Sequence, residues 1–176
     1  MPLMSIIGCT EFEKEIVELL AEDKMIDHLL VVNGSKSLGL ISSLKKMGLV
    51  PDVLSPERIP SGLKKSKGFN VLVTLQDVNV YQSPKHMKRE IYEKIKFYGL
   101  VSNGILIIHS SCGSMFDNAL LDFSNSRFLL ELLSSENEDN IGDKTGEGFS
   151  DNKDIHTEII EQYRSSYNKL KEQILS

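Results

Sequence analysis

The feature that most constrains this chain is a repeated switch between short apolar runs of strand length and stretches whose apolar residues recur at helical spacing. Leu3 to Gly8 is an apolar run ending in glycine, the pattern of a strand buried on both faces. A helix is predicted directly after it: Thr10 and Glu13 stand at capping-box spacing, and Phe12, Ile16, Leu19 and Leu20 mark an apolar side. His28 to Val32 reads as a second strand and Asn33-Gly34-Ser35 as its turn. Leu38, Ile41, Leu44 and Met47 then form the stripe of a second helix, stopped by Gly48. Val50 to Leu54 is a third strand, which Pro51 confines to an edge or a strand start because proline donates no ladder hydrogen bond. Pro56 and Pro60 flank a connector with room for a helical turn.

Gly68 opens the clearest strand of the middle, Phe69 to Leu75, whose Val71-Leu72-Val73 centre predicts a central position. Asp77 to Ser83 is a polar loop. Pro84 suits the first turn of a helix that carries Met87, Ile91, Ile95 and Tyr98 on one side. After the turn signal Asn103-Gly104, Ile105 to Ile108 reads as a buried parallel strand. This alternation predicts a three-layer, Rossmann-like α/β fold: an open, mostly parallel sheet of about four or five strands with helices on both faces.

The last third reads differently. Met115 to Leu133 is helical in parts but broken by Ser124-Asn125-Ser126, and Ser134 to Asp154 is too polar to offset the entropy of ordering. Ile155 to Leu175 is a final helix with Ile155, Ile159, Tyr163, Leu170 and Ile174 on one face, suited to dock on the domain or on a partner. The expected organisation is an α/β domain over residues 1–133, an acidic flexible linker over 134–154 and a C-terminal helix over 155–176.

Bulk properties narrow the function classes. With 176 residues and 40% hydrophobic content the chain can bury one core and is short for two. A net charge of −5 and a pI near 5.4 supply no basic field for nucleic acid, and 7% aromatic content without tryptophan supplies no stacking platform for single strands. No apolar run approaches the ~18 residues of a membrane span. The opening Met1-Pro2-Leu3-Met4-Ser5 lacks the basic stretch of a secretory signal, so a cytoplasmic protein with neither a nucleic-acid nor a membrane partner is expected. Two cysteines about a hundred residues apart form neither a disulfide framework nor a zinc-finger spacing.

In a parallel sheet the loops leaving the carboxyl ends gather along one edge, where ligands usually bind. That rule places Cys9 and Thr10, Asn33 to Ser35, Asp77 to Tyr81 and His109 to Ser114 on the same side. Cys9 and Cys112 each precede a predicted helix, whose N–H groups and dipole favour a thiolate. With His109 they form a candidate set for a transition metal, in an open site because no fourth protein ligand is evident. A Cys–His nucleophilic pair is the alternative. The plainer reading makes the cysteines small, partly buried hydrophobes at tight turns and His109 a hydrogen-bonded core or rim residue. Ser110, Ser111, Gly113 and Ser114 offer backbone N–H groups to an anionic cofactor, although neither this loop nor Asn33-Gly34-Ser35-Lys36-Ser37 has the frame of a P-loop. No G-x-G-x-x-G follows the first strand. Lys85, Lys88, Arg89, Lys94 and Lys96, interspersed with Glu90 and Glu93, read as a solvated helix face with ion pairs.

Ile6-Ile7-Gly8-Cys9-Thr10, Ser66-Lys67-Gly68-Phe69-Asn70-Val71, Pro84 with Lys88 and Ile91-Tyr92, and Ser102-Asn103-Gly104-Ile105-Leu106 leading into Cys112-Gly113 together resemble the family called domain of unknown function 1638, over about residues 1 to 120. That family occurs in methane-producing archaea and some bacteria. Its members carry an early Ile-x-Cys, a His after the middle strand, a Tyr-Gly-x-Cys-Gly loop and a further Cys. Cys9 and Cys112-Gly113 match the first and third of these. Tyr81 stands roughly where the His would be and joins the candidate cofactor-binding residues. His109-Ser110-Ser111 replaces Tyr-Gly-x, and no third Cys is present. The resemblance implies the setting of corrinoid-dependent methyl transfer, with a transition metal or corrinoid as cofactor and a methyl-transfer or corrinoid protein as partner. Two other readings stand beside it: an interaction module whose terminal helix docks on a partner or a second copy, and a thiol-dependent transferase.

Overall fold

Among the described residues the strands are six: β1 (Leu3–Cys9), β2 (Ile26–Val32), β3 (Asp52–Leu54), β4 (Phe69–Gln76), β5 (Gly104–His109) and β6 (Leu129–Ser134). They form one sheet in the order β3-β2-β4-β1-β5-β6, and every neighbouring pair is parallel. The structure, a computed structural model, describes residues 1–63, 66–77, 79, 83–109, 116, 118–134 and 152–176. Its helices are α1 (Glu13–Glu22), α2 (Ser37–Lys46), α3 (Ile59–Gly62), α4 (Pro84–Gly99), α5 (Ala119–Asp122) and α6 (Asn152–Leu175).

A parallel sheet needs both faces covered, and here two helical layers do it. Ile16 and Leu20 of α1, Leu40 and Leu44 of α2, and Tyr163, Tyr167 and Leu170 of α6 pack with Met4, Ile6, Val71 and Val73 on one face. Ile59 of α3, Met87, Ile91, Ile95 and Tyr98 of α4, and Ala119 of α5 pack with Leu3, Ile7, Leu72, Ile105 and Ile107 on the other. This is the three-layer, Rossmann-like α/β arrangement expected from the alternation, with six strands instead of four or five. Among the described residues no helix is long and apolar enough to cross a membrane.

Three local expectations change. The sixth strand lies inside a segment read as partly helical: Leu129-Leu130-Glu131-Leu132-Leu133 has strand length and pairs with β5 from Gly104 opposite Leu129 onward. The Thr10–Glu13 capping box does not form, because a 3₁₀ turn over Thr10–Phe12 comes first and α1 starts at Glu13 with no side-chain cap. In α2 the inward face is Ser37, Leu40 and Leu44, while Leu38 and Met47 are exposed. Of the expected stripe, Leu44 is buried and Ile41 packs against the core, while its two end members, Leu38 and Met47, turn away from the sheet. Gly48, at φ 82°, ends α2 in the left-handed region as expected.

The terminal helix takes the first of its two expected places, on the domain. Tyr163, Tyr167 and Leu170 are buried in the same cluster as the central strands, with Ile159 and Ile174 packed against it, so the apolar face of α6 is used within the chain. Gly104 permits its approach: a Cβ there would stand 2.7 Å from Ile174 Cδ1 and 3.0 Å from Leu170 Cδ1. Polar contacts fasten it to α1. Arg164 reaches both carboxylate oxygens of Glu22 at 2.8 and 2.9 Å, and Asp23 accepts hydrogen bonds from Tyr167 at 2.8 Å and Lys171 at 3.0 Å. The linker expected over 134–154 falls mainly on residues 135–151, which lie outside the described residues.

The layering decides where the sheet can open. The chain leaves β2 for α2 on one face and leaves β4, its neighbour, for α4 on the opposite face. Adjacent strands whose exits diverge in this way leave a crevice at their carboxyl ends.

Candidate functional site

The expected edge forms, and two of its three proposed metal ligands come together on it. Cys9 closes β1 and His109 closes β5; the ladder pairs Gly8 with Ile108, so they are the next residues on adjacent strands, which run roughly 4.8 Å apart. On its other side Cys9 stands opposite Gln76, the last residue of β4. Gln76, Cys9 and His109 thus form a row across the carboxyl edge of the three central strands, and all three are buried. The His109 ring meets Phe116 edge-on at 5.5 Å between centroids.

Cys112, the third proposed metal ligand, lies outside the described residues, as do the proposed cofactor contacts Ser110, Ser111, Gly113, Ser114 and Tyr81. Among the described residues no group of three or more His, Cys, Asp or Glu side chains is placed to hold a metal ion. Cys9 and His109 bring two donors, fewer than the three protein ligands of an open zinc site. The dipole argument for a Cys9 thiolate also weakens, because Cys9 precedes a three-residue turn and α1 begins only at Glu13.

A cavity of about 480 Å³ occupies the crevice between β2 and β4. Its walls are the end of β2 and the start of α2 (Val32, Asn33, Gly34, Ser35, Ser37), the end of β4 (Thr74, Leu75, Gln76, Asp77), Pro56 beyond β3, and one side of α4 (Glu90, Glu93, Lys94, Phe97, Tyr98). The loop at α2 is held from within: the Ser37 hydroxyl donates to the Gly34 carbonyl at 2.9 Å, and the Gly34 N–H donates to Ser37 Oγ at 3.1 Å. Lys36 ties this loop to the end of β4 through Asp77 at 3.1 Å. The Asp77 carboxyl is held below its ordinary value by the Asn79 N–H and then by Lys36.

Strand alternation explains the polar wall. Along β4, Phe69, Val71 and Val73 face the α1/α2/α6 layer, whereas Leu72 faces α4, placing Asn70, Thr74 and Gln76 on the α4 side. Asn70 donates to the Pro2 and Gly68 carbonyls at 3.2 and 2.7 Å. Thr74 is hydrogen-bonded to the Tyr98 hydroxyl, which burial nonetheless pushes above its ordinary pKa. Gln76 differs. It is 3% exposed, and among the described residues neither its Oε1 nor its Nε2 has a hydrogen-bond partner. Buried side-chain amides are nearly always paired, because the unpaired state carries the full desolvation cost.

No family model and no curated protein matches this chain. The site is therefore read from its own geometry. Sequence reasoning placed Asn33 to Ser35 and Asp77 at the functional edge and missed Gln76, Thr74, Lys94 and Tyr98. The legible signal was a polar residue at every second or fourth position of a strand otherwise fit for burial on both faces: Asn70, Thr74, Gln76. Lys94 was read as part of a solvated face, yet it is half-buried and lines the cavity.

Proposed function

We propose that this chain binds a small cofactor or metabolite at the carboxyl edge of its sheet, in the cleft between β2 and β4. One observation supports the reading above the others: a buried amide, Gln76, stands in the cavity wall without hydrogen-bond partners among the described residues. A group of that kind costs stability, and costs of this sort persist where a ligand uses the group. The cavity volume falls within the roughly 300–1,000 Å³ of small-molecule sites. Its position, between adjacent strands whose helices leave to opposite faces, is the usual one in open α/β sheets. On the resemblance alone, this binding role stands beside corrinoid-dependent methyl transfer, with a methyl-transfer or corrinoid protein as partner.

The chain contains no tryptophan, so Phe97→Trp, on a cavity-lining residue already 39% exposed, places a single tryptophan at the site, excited selectively above the absorption of the tyrosines. A metabolite library is titrated against this variant, with and without Gly34→Leu. A Cβ at Gly34 meets nothing within 4 Å, so the new side chain fits the backbone and obstructs the cleft. The reading expects a saturable fluorescence change that Gly34→Leu removes. A library that binds nowhere, or binds equally to both proteins, refutes it.

A further inference from the structure

We infer that the ligand of this cleft is an organic anion, a phosphate monoester of a heterocycle that presents adjacent hydrogen-bond donor and acceptor groups, as a lactam edge does. The inference rests on the binding reading above and adds the chemistry of the occupant. It draws on two parts of the cavity wall that make opposite demands.

The first part is charge. Three carboxylates line the cavity, and two of them have a lysine close by, Asp77 with Lys36 at 3.1 Å and Glu93 with Lys96 at 3.2 Å, while Glu90 has the His86 imidazole at 3.8 Å. Lys94 also lines it, and among the described residues it forms no ion pair. The same cavity receives the amino end of α2, a ten-residue helix with no acidic residue in its first turn and no side-chain cap on its first N–H groups. Its first N–H, on Ser37, donates to the Gly34 carbonyl at 3.2 Å, and the N–H groups that follow, with the partial positive charge of a helix start, favour phosphate or carboxylate. A cation without a carboxylate and a helix start without an acid or a side-chain cap both ask for an anion from outside.

The second part is the amide of Gln76, whose Oε1 and Nε2 are shut off from water in the ligand-free chain, so that a ligand meets them when the side chain turns toward the cleft. It offers one acceptor and two donors in a plane, and the group that satisfies both kinds at once carries its own donor beside its own acceptor. Lactam edges of nucleobases and related heterocycles do this. Pro56 and Phe97 supply apolar wall for a ring, and the volume of about 480 Å³ accommodates ring and anion together.

The test compares four probes by calorimetry on the full chain: uridine 5′-monophosphate, uridine, ribose 5-phosphate and inorganic phosphate, each against wild type, Lys94→Gln and Gln76→Met. The expected result is that uridine monophosphate binds most tightly and uridine about tenfold or more weaker, with Lys94→Gln narrowing that gap. Gln76→Met brings uridine monophosphate down to the level of ribose 5-phosphate while leaving inorganic phosphate unchanged. Equal affinity for uridine and its monophosphate, or indifference to Lys94→Gln, overturns the anion. Equal affinity for uridine monophosphate and ribose 5-phosphate in wild type overturns the heterocycle edge. If all four probes fail while the Phe97→Trp library yields a neutral ligand, the proposed class falls and the binding reading stands; if the library also fails, both fall.

Discussion

Replacing Gln76 with methionine should make the ligand-free protein more stable, an uncommon direction for a substitution in a buried strand. The amide is 3% exposed, and its two polar atoms have no partner among the described residues, so folding strips it of water without replacement. Leaving a polar group buried and unsatisfied costs about 1–3 kcal/mol, and a methionine of similar length and shape removes most of that cost without a large cavity or clash. The expected gain is about 1–3 kcal/mol. For a domain of this length each kcal/mol moves Tm by roughly 2–4 °C. Urea unfolding measures the change, with wild type and variant compared at equal m-value so that the shift reports stability alone. A variant destabilised by about 1 kcal/mol or more would show that the Gln76 amide is satisfied in solution, by an ordered water for instance. The argument that it is kept for a ligand would then be refuted.

Three further outcomes follow from the packing. Tyr167 is 2% exposed in the main cluster and donates to Asp23, so Tyr167→Ala should cost about 3–5 kcal/mol by chemical denaturation; a loss below about 1 kcal/mol would mean that α6 is not docked. Deleting residues 152–176 uncovers the face formed by Met4, Ile6 and Leu106, and should abolish cooperative unfolding instead of releasing an intact domain; a sharp transition in the truncated protein would contradict this. For Asp23, burial alone would raise the carboxyl pKa, but hydrogen bonds from the Met25 N–H, the Tyr167 hydroxyl and Lys171 outweigh it and hold it below 3.8. Glu22 is held below 4.5 by Arg164. Native values below the unfolded ones give stability that is present above those unfolded values and is lost as pH falls through the native ones. Acid titration of stability should therefore steepen as pH falls through and below the usual carboxylate range, and Asp23→Asn should flatten that limb; an unchanged limb would remove Asp23 from the account.

Much of the fold was legible because strand-length apolar runs and helical stripes alternate from Leu3 to Ile108, and a parallel sheet is the arrangement that buries both. The start of α4 was legible in Pro84, which occupies the first turn; Ser83, read only as the end of a polar loop, caps it by accepting from the His86 N–H at 3.2 Å. What escaped was decided by tertiary context. Leu129 to Leu133 has no polar alternation to separate a strand from a buried helical turn, and only its pairing with β5 settles it. The phase of α2 depends on which way the helix rolls against β2, a choice that Leu38 and Leu40 leave open in sequence. At the site, the edge rule correctly drew Cys9 toward His109 and both Asn33 and Asp77 toward one side. Attention to thiols as the more reactive groups hid the amide at the end of β4, whose importance appears only when its hydrogen-bond partners are sought. Cys112, the third of the proposed ligands, lies outside the described residues.

The most direct test of the central claim is the ¹H–¹⁵N spectrum of the full-length protein, with the Gln76 side-chain amide assigned by its loss in Gln76→Met, recorded while the best-binding compound is titrated in. The account predicts that the Gln76 Nε2 protons shift the most and move together with the backbone N–H groups of Gly34 and Ser35. Shifts that gather elsewhere while the Gln76 amide stays fixed would contradict it.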